Sequence, residues 1–244
     1  MRKNVIILGS TGSIGLNTLE VLSIHSENYN IFALVANSSV NKLFQQCKKY
    51  NPKYVYMNKE GCGKELISLI KNANIHTEVL FNEQELMQLV THDDIDIIVC
   101  AISGSAGLKS SVQAAGSGKK VLLANKESLV MCGSLFMEIA EDNNSTILPV
   151  DSEHNALHQC FAANGTKSLE KIILTASGGP FLDSDINKFD QITPEQALKH
   201  PTWDMGKKIS IDSATMMNKG LEVIEAMYLF NLKLDKVDVI IHPQ

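Results

Sequence analysis

The chain has 244 residues, 44% hydrophobic and 20% charged, enough for one large domain or two modest ones with a substantial core. Its formal net charge of −5 argues against a general nucleic-acid binder, which needs a basic face to release counterions, but leaves room for a local basic pocket around a phosphate. The five dispersed cysteines (Cys47, Cys62, Cys100, Cys132 and Cys160), none at zinc-knuckle spacing, read as reduced thiols, with Cys100 closing an apolar run as part of the core.

Met1-Arg2-Lys3-Asn4 leads straight into a strand, with no secretory apolar region before it. No apolar stretch approaches the roughly 18–20 residues of a bilayer span, so no membrane partner is expected. The expectation is a cytoplasmic protein, or one of an organelle lumen after removal of a targeting peptide. Val5-Ile6-Ile7-Leu8 reads as a buried strand, followed by a glycine turn and a helix through Leu19, Val21 and Leu22. Residues 31–36, 95–99, 120–123 and 146–150 repeat the strand signal, and 62–73 and 83–90 read as helices. Continuous apolar strands separated by helices predict an α/β fold: a Rossmann-like, doubly wound parallel sheet over residues 1–149. A second α/β domain, the catalytic one, is expected over 150–244. It has a Ser, Gly, Asn and Asp cluster at 175–191, a Pro-bounded stretch at 193–208, a helix at 214–231 and a strand at 237–241. A strand so close to the end calls for a partner or cover, so the expectation is a chain truncated at its C-terminus.

The first strand runs into Gly9-Ser10-Thr11-Gly12-Ser13-Ile14-Gly15. Glycines here permit a tight turn, close backbone approach to a pyrophosphate, and close packing of helix on strand. The helix N-terminus offers N–H groups and a positive dipole end to the phosphates. The spacing is G-x-x-G-x-x-G, not the strict G-x-G-x-x-G, and a plain strand-to-helix turn is the competing reading. NAD enzymes of this build place a carboxylate at the end of the second strand. Here that place reads Asn37-Ser38-Ser39, which would not repel a 2′-phosphate and favours NADP; Lys42 is the nearest basic residue.

Asp151-Ser152-Glu153-His154-Asn155 follows a strand end, where open α/β sheets place ligands. Two carboxylates one residue apart suit Mg²⁺ or Mn²⁺; the alternative is a helix start, with Asp151 or Ser152 as cap and Glu153 favoured by the dipole. His154 and His158 stand four apart, a spacing more often structural than ligating. Asn218 and Glu222 share a helix face with Lys219 beside them, among apolar neighbours. Glu222 then offers a third metal carboxylate, and Asn218 and Lys219 a phosphate grip, whereas Asp212 or Ser213 could simply cap that helix. Ser177-Gly178-Gly179 has the makings of an anion nest. The stretch 199–208, with His200 and the only tryptophan, Trp203, reads as a lid or as a surface loop with Trp203 turned into the core. Asn125-Lys126-Glu127 follows another strand end and supplies a cation.

Together these segments closely resemble 1-deoxy-D-xylulose 5-phosphate reductoisomerase: GSTGSIG at 9–15, LLANKESLV at 122–130, LPVDSEHNA at 148–156, SGGPF at 177–181, HPTWDMGKKIS at 200–210 and IDSATMMNKGLE at 211–222. The resemblance implies an NADPH-dependent enzyme of isoprenoid precursor synthesis that rearranges this phosphorylated sugar and reduces the resulting aldehyde to 2-C-methyl-D-erythritol 4-phosphate. It further implies Asp151, Glu153 and Glu222 as ligands of Mg²⁺ or Mn²⁺, with Lys126 at the reacting end and Ser152 on the substrate backbone. Ser177, Ser213, Asn218 and Lys219 would hold the phosphate, with His200 and Trp203 on the covering loop. Gly9, Thr11, Gly12, Ser13, Ile14, Asn125, Glu127 and Gly206 fall at cofactor-binding positions, and Asn37, Ser38 and Ser39 at the 2′-phosphate end. Asn37-Ser38 departs from the family's usual glycine and basic residue there. The family is typically homodimeric. Two other readings compete: another two-domain NAD(P) dehydrogenase, resembling homoserine dehydrogenase in its Asn-Lys pair, and a non-catalytic cofactor-binding regulatory protein.

Overall fold

The computed structural model describes residues 1–161, 165, 169–199 and 206–242. Short apolar runs form seven strands, β1 (Lys3–Leu8), β2 (Tyr29–Ala36), β3 (Tyr54–Met57), β4 (Glu78–Leu80), β5 (Ile97–Cys100), β6 (Lys120–Leu123) and β7 (Thr146–Pro149). All their pairings are parallel, in the order β4-β3-β2-β1-β5-β6-β7. The connections are the helices α1 (Ser13–Ile24), α2 (Val40–Tyr50), α3 (Glu60–Asn72), α4 (Glu83–Val90), α5 (Leu108–Ala115) and α6 (Lys126–Asp142). Strand order reverses between β1 and β5, which makes their C-terminal ends the switch point of a doubly wound sheet.

Both faces of this sheet are covered, which explains why its strands read as unbroken apolar runs. Val5, Ile7, Leu34, Val55 and Val99 pack with Leu19 of α1, Leu43 and Cys47 of α2, and Leu66 and Ile70 of α3. The alternate residues Ile6, Leu8, Val35, Ile98 and Cys100 are buried as deeply, and α5 lies on β5 and β6. Each fully buried side chain of this size contributes about 1.5–3 kcal/mol. Burial pushes the Cys47 and Cys100 thiols up to about 12, so in mildly alkaline buffer both stay protonated and inert. In the native protein, maleimide should therefore label exposed Cys160 quickly and reach Cys47 and Cys100 only on unfolding, as mass mapping would read.

The chain packs as two units, Met1–Val150 and Asp151–Gln244. In the second, α7 (Ser152–Phe161) precedes β8 (Ile172–Ala176), then come the short α8 (Pro194–Ala197), α9 (Lys207–Ala214), α10 (Met217–Leu229) and β9 (Val237–Ile241). The strands β8 and β9 pair in parallel from Ile172–Val237 to Ala176–Ile241. Ile172, Leu174, Ala226 and Val237 form their core, packed by Leu157, Phe161, Val223, Met227 and Phe230. The helix expected at 214–231 is corrected to two pieces: Met216 takes a left-handed conformation (φ 59°), which ends one helix and starts the next. Asp212 and Ser213 consequently close α9 and do not cap α10, and Asp212 pairs with Lys208 at 2.6 Å. Among the described residues no helix is long and apolar enough to cross a membrane.

Candidate functional site

In the first unit the glycine turn sits at the switch point. Gly9 has φ +93°, and a Cβ there would lie 2.5 Å from the Ala101 carbonyl oxygen that follows β5. Its N–H and that of Ser10 both donate to the Val35 carbonyl, at 3.0 and 2.9 Å, pinning the turn to the end of β2. Gly15 lets α1 close onto the turn, since a Cβ there would lie 2.3 Å from the Gly9 oxygen. Gly12 is the N-cap of α1 and has no side chain to occupy the first-turn N–H groups, while Thr11, Ser13 and Ile14 stand half-buried to exposed around it. Sequence reasoning missed one support. Buried Ser10 donates its hydroxyl to Gln46 Oε1, and Gln46 Nε2 donates to the Ser10 carbonyl, both at 2.8 Å. Nothing in the order of residues marks Gln46 apart from its place on the buried face of α2.

At the end of β2, Asn37, Ser38 and Ser39 are exposed, and the Asn37 side-chain oxygen accepts from Asn58 Nδ2 at 3.0 Å. A groove of about 330 Å³ follows, lined by Ser38, Ser39, Asn41, Lys42, Cys62 and Glu65. Asn125 caps α6 by accepting from the Ser128 N–H at 2.9 Å, and its Nδ2 donates to the Gly104 carbonyl at 2.9 Å. It therefore ties the end of β6 to the loop after β5 and sets Lys126, buried, at the first turn of α6, with Glu127 next to it.

In the second unit, α10 brings Asn218, Lys219 and Glu222 onto the carboxylates at the start of α7. One oxygen each from Asp151, Glu153 and Glu222 lies within 4.8 Å of the others. The Lys219 ammonium donates to Glu153 Oε1 at 2.9 Å and to Glu222 Oε2, and Asn218 Nδ2 donates to Glu222 Oε1. The Ser152 hydroxyl donates to Glu153 Oε2 at 2.6 Å. Behind this cluster His154, fully buried, has Nδ1 3.4 Å from Asp151 and 3.2 Å from buried Glu225, while Nε2 lies 2.9 Å from the Glu222 carbonyl. Burial alone would disfavour its protonated form, but the hydrogen bond to Asp151 and the charges of Glu225 and Asp151 outweigh that and raise its pKa. Glu225 was not singled out from the sequence, although it lies one helical turn beyond Glu222 and so on the same face. His158 belongs to neither acidic cluster.

These donors fit a divalent cation. They are hard oxygens, the choice of Mg²⁺ and Mn²⁺. Asp151, Glu153, Glu222 and Glu225 gather beside Lys219 and His154, a concentration of negative charge suited to a divalent ion. An ammonium already lies against two of the three prospective ligands, so the place accepts positive charge.

Ser177 follows β8, and Gly178 and Gly179 hold φ values of +83° and +72° that bend the chain sharply. The Gly179 N–H donates to the Ser177 hydroxyl at 3.3 Å, and a Cβ at Gly179 would lie 2.7 Å from the Ser213 carbonyl, so this loop packs on α9 beside Ser213. Gly206 is the N-cap of α9, and its carbonyl accepts from the Ser210 N–H at 3.1 Å. His200 and Trp203 lie outside the described residues.

The first unit is thus an α/β fold of the dinucleotide-binding class with its glycine turn at the switch point, and the second gathers oxygen donors that could hold a divalent cation. The chain belongs to the 1-deoxy-D-xylulose 5-phosphate reductoisomerase family: a sequence profile of that name matches residues 5–133, and one for the reductoisomerase C-terminal domain matches residues 147–230. It is 50% identical over 242 residues to the 1-deoxy-D-xylulose 5-phosphate reductoisomerase of Ruthia magnifica subsp. Calyptogena magnifica, covering 99% of this chain and 62% of the relative. The Haemophilus ducreyi reductoisomerase is 47% identical over 252 residues, covering 99% and 64%. A crystal structure of DOX-P reductoisomerase with NADPH, fosmidomycin and magnesium is similar with a TM-score of 0.94 at 43% identity, covering 99% of this chain and 61% of the other. The Zymomonas mobilis reductoisomerase with NADPH gives 0.91 at 40% identity, covering 100% and 62%. The chain therefore spans a little over three fifths of the length of the relatives it matches.

Proposed function

We propose that the protein carries out the NADPH-dependent isomerisation and reduction of 1-deoxy-D-xylulose 5-phosphate to 2-C-methyl-D-erythritol 4-phosphate, a step of isoprenoid precursor synthesis. The observation that carries this reading is the convergence of Asp151, Glu153 and Glu222, with Lys219 and Asn218 beside them, in a chain of this family. The first unit is assigned to NADPH and the second to metal and substrate.

A Mg²⁺ or Mn²⁺ ion held by Asp151, Glu153 and Glu222 would supply Lewis-acid polarisation of the substrate's carbonyl and hydroxyl oxygens. NADPH would supply the hydride. The turn through Gly9, Thr11, Gly12, Ser13 and Ile14 receives the pyrophosphate at the α1 N-terminus, and Asn37, Ser38 and Ser39 receive the 2′-phosphate end. Asn125, Glu127 and Gly206 are assigned to the same cofactor. Ser152 orients the substrate backbone, and Lys126 hydrogen-bonds the reacting end, where charge develops. Ser177, Ser213, Asn218 and Lys219 hold the non-reacting phosphate, whose binding energy positions the carbon skeleton. His200 and Trp203 are assigned to a covering loop on the family resemblance alone. We further propose a cytoplasmic location and a homodimer, the latter supported by the exposed apolar side chains Ile173, Val239, Ile240 and Ile241 on the β8–β9 sheet.

The test follows NADPH absorbance in the full-length polypeptide on adding 1-deoxy-D-xylulose 5-phosphate and Mn²⁺. Oxidation that requires both, and stops with chelator, supports the reading; a folded, metal-loaded protein that leaves NADPH untouched rejects it. In the same assay Lys42→Ala should raise the KM for NADPH about 10-fold while changing that for NADH little, because one charge-assisted hydrogen bond is worth about 1.5–3 kcal/mol. Equal effects on the two cofactors would remove Lys42 from 2′-phosphate recognition.

A further inference from the structure

Glu222 has both carboxylate oxygens committed to donors of its own helix, Oε1 to Asn218 and Oε2 to Lys219. These two donors are the same residues assigned above to the substrate phosphate. Lys219 also holds Glu153 Oε1 at 2.9 Å, so a single ammonium bridges two of the three carboxylates of the cation site. Lys219 and Glu222 themselves are nearly closed to water, at 6% and 1% exposed, while Glu153 and Asn218 are partly open to it. A divalent ion that takes Glu222 and Glu153 as ligands therefore competes directly with Lys219 and Asn218 for the same carboxylate oxygens.

We propose that Lys219 and Asn218 act as an exchange element: they are the internal counter-donors of Glu222 and Glu153 until a divalent cation arrives, and the cation then releases them to the phosphate. This inference rests on the proposed metal and phosphate assignments and adds a coupling between them. The metal need not touch the phosphate for the two to favour each other. Each ligand removes the Lys219 and Asn218 donors from the state that opposes the other. The pair therefore binds cooperatively, and by linkage the gain is the same in either direction, about 5- to 150-fold for a coupling of ordinary size. The exchange needs no proton transfer: the Lys219 side chain trades one anionic partner for another. It also gives Asn218 a role beyond the phosphate, as the neutral half of the brake on Glu222.

The test measures Mn²⁺ binding to the full-length polypeptide by the electron paramagnetic resonance signal of free aquo-Mn²⁺, with and without inorganic phosphate and against protein-free blanks. Wild type should bind Mn²⁺ at least about 5-fold more tightly in phosphate. Calorimetric titration of phosphate should tighten by the same factor in Mn²⁺. Asn218→Ala should bind Mn²⁺ more tightly than wild type in the absence of phosphate, although no charge has changed, and Lys219→Gln should do so more strongly. Both variants should lose most of the phosphate effect, with far-UV circular dichroism verifying their fold. An unchanged Mn²⁺ affinity in Asn218→Ala would overturn the exchange, since mere charge repulsion by Lys219 predicts that result. A phosphate effect fully retained in both variants would also overturn it, by placing the anion on the metal itself. Absence of any Mn²⁺ binding by wild type would instead remove the metal assignment, and the exchange with it.

Discussion

Glu222→Gln should lower metal-dependent NADPH oxidation by about 1,000-fold or more while leaving the affinity for NADPH unchanged. Glutamine keeps the shape of the side chain and one acceptor oxygen, but it removes a charge from a site built on carboxylates. A metal acting as Lewis acid stabilises the transition state by several kcal/mol, and each 1.36 kcal/mol is a factor of ten. Glu222 is the least exposed of the three candidate ligands and the only one from α10, so its loss dismantles the site from one side. NADPH binding is assigned to the first unit and gives the internal control. It can be read from cofactor fluorescence beside Mn²⁺ binding and steady-state rates. Mn²⁺ affinity and turnover close to wild type would take Glu222 out of the metal site.

Gly15→Ala should disable cofactor binding and destabilise the first unit together. The added methyl would lie 2.3 Å from the Gly9 oxygen and 2.6 Å from Ser10 Cα, both backbone atoms that cannot swing aside. Either α1 moves away from β1 or the turn distorts, and overpacking of this kind costs about 1–3 kcal/mol, occasionally more. For a protein of this size that is about 2–4 °C in Tm per kcal/mol. The displaced helix N-terminus would no longer aim its N–H groups at the pyrophosphate, so NADPH affinity should fall well beyond what the stability loss explains. Gly61→Ala is the matched control, because a Cβ there meets nothing within 4 Å. Calorimetry and NADPH titration of the two variants decide the matter. Equal, small effects would mean that α1 is free to shift.

The sheet of the first unit was legible where strands are buried on both faces and end in glycine, as at β1, and where apolar runs continue, as at β2 and β6. Helix α3 was readable at 62–73, whereas α2, β3 and β4 were less so. Helix α2 buries only Val40, Leu43 and Cys47 with polar Gln46, and β3 and β4 are four and three residues long. In β8 only alternate residues are buried, so its short run carried little weight beside the loop that follows. The break at Met216 has no local marker, since the left-handed residue is neither Gly nor Asn.

The candidate site divides in the same way. Asn218 and Glu222 were readable as one face, with Lys219 beside them, because helical spacing is local. Their meeting with Glu153 spans 66 residues of chain and appears only with the fold. Glu225 and Gln46 went unnoticed for a related reason: each matters through one distant buried partner, His154 or Ser10, that spacing does not reveal.

The central claim is that the protein rearranges a carbon skeleton before reducing it, and proton NMR of the product tests this most directly. The full-length polypeptide would be incubated with 1-deoxy-D-xylulose 5-phosphate, NADPH and Mn²⁺ until NADPH is consumed. Rearrangement followed by reduction predicts a methyl singlet, because the methyl group then sits on a carbon bearing no hydrogen. A methyl doublet would mean direct reduction of the unrearranged ketone, and the protein would be a simple dehydrogenase on this fold.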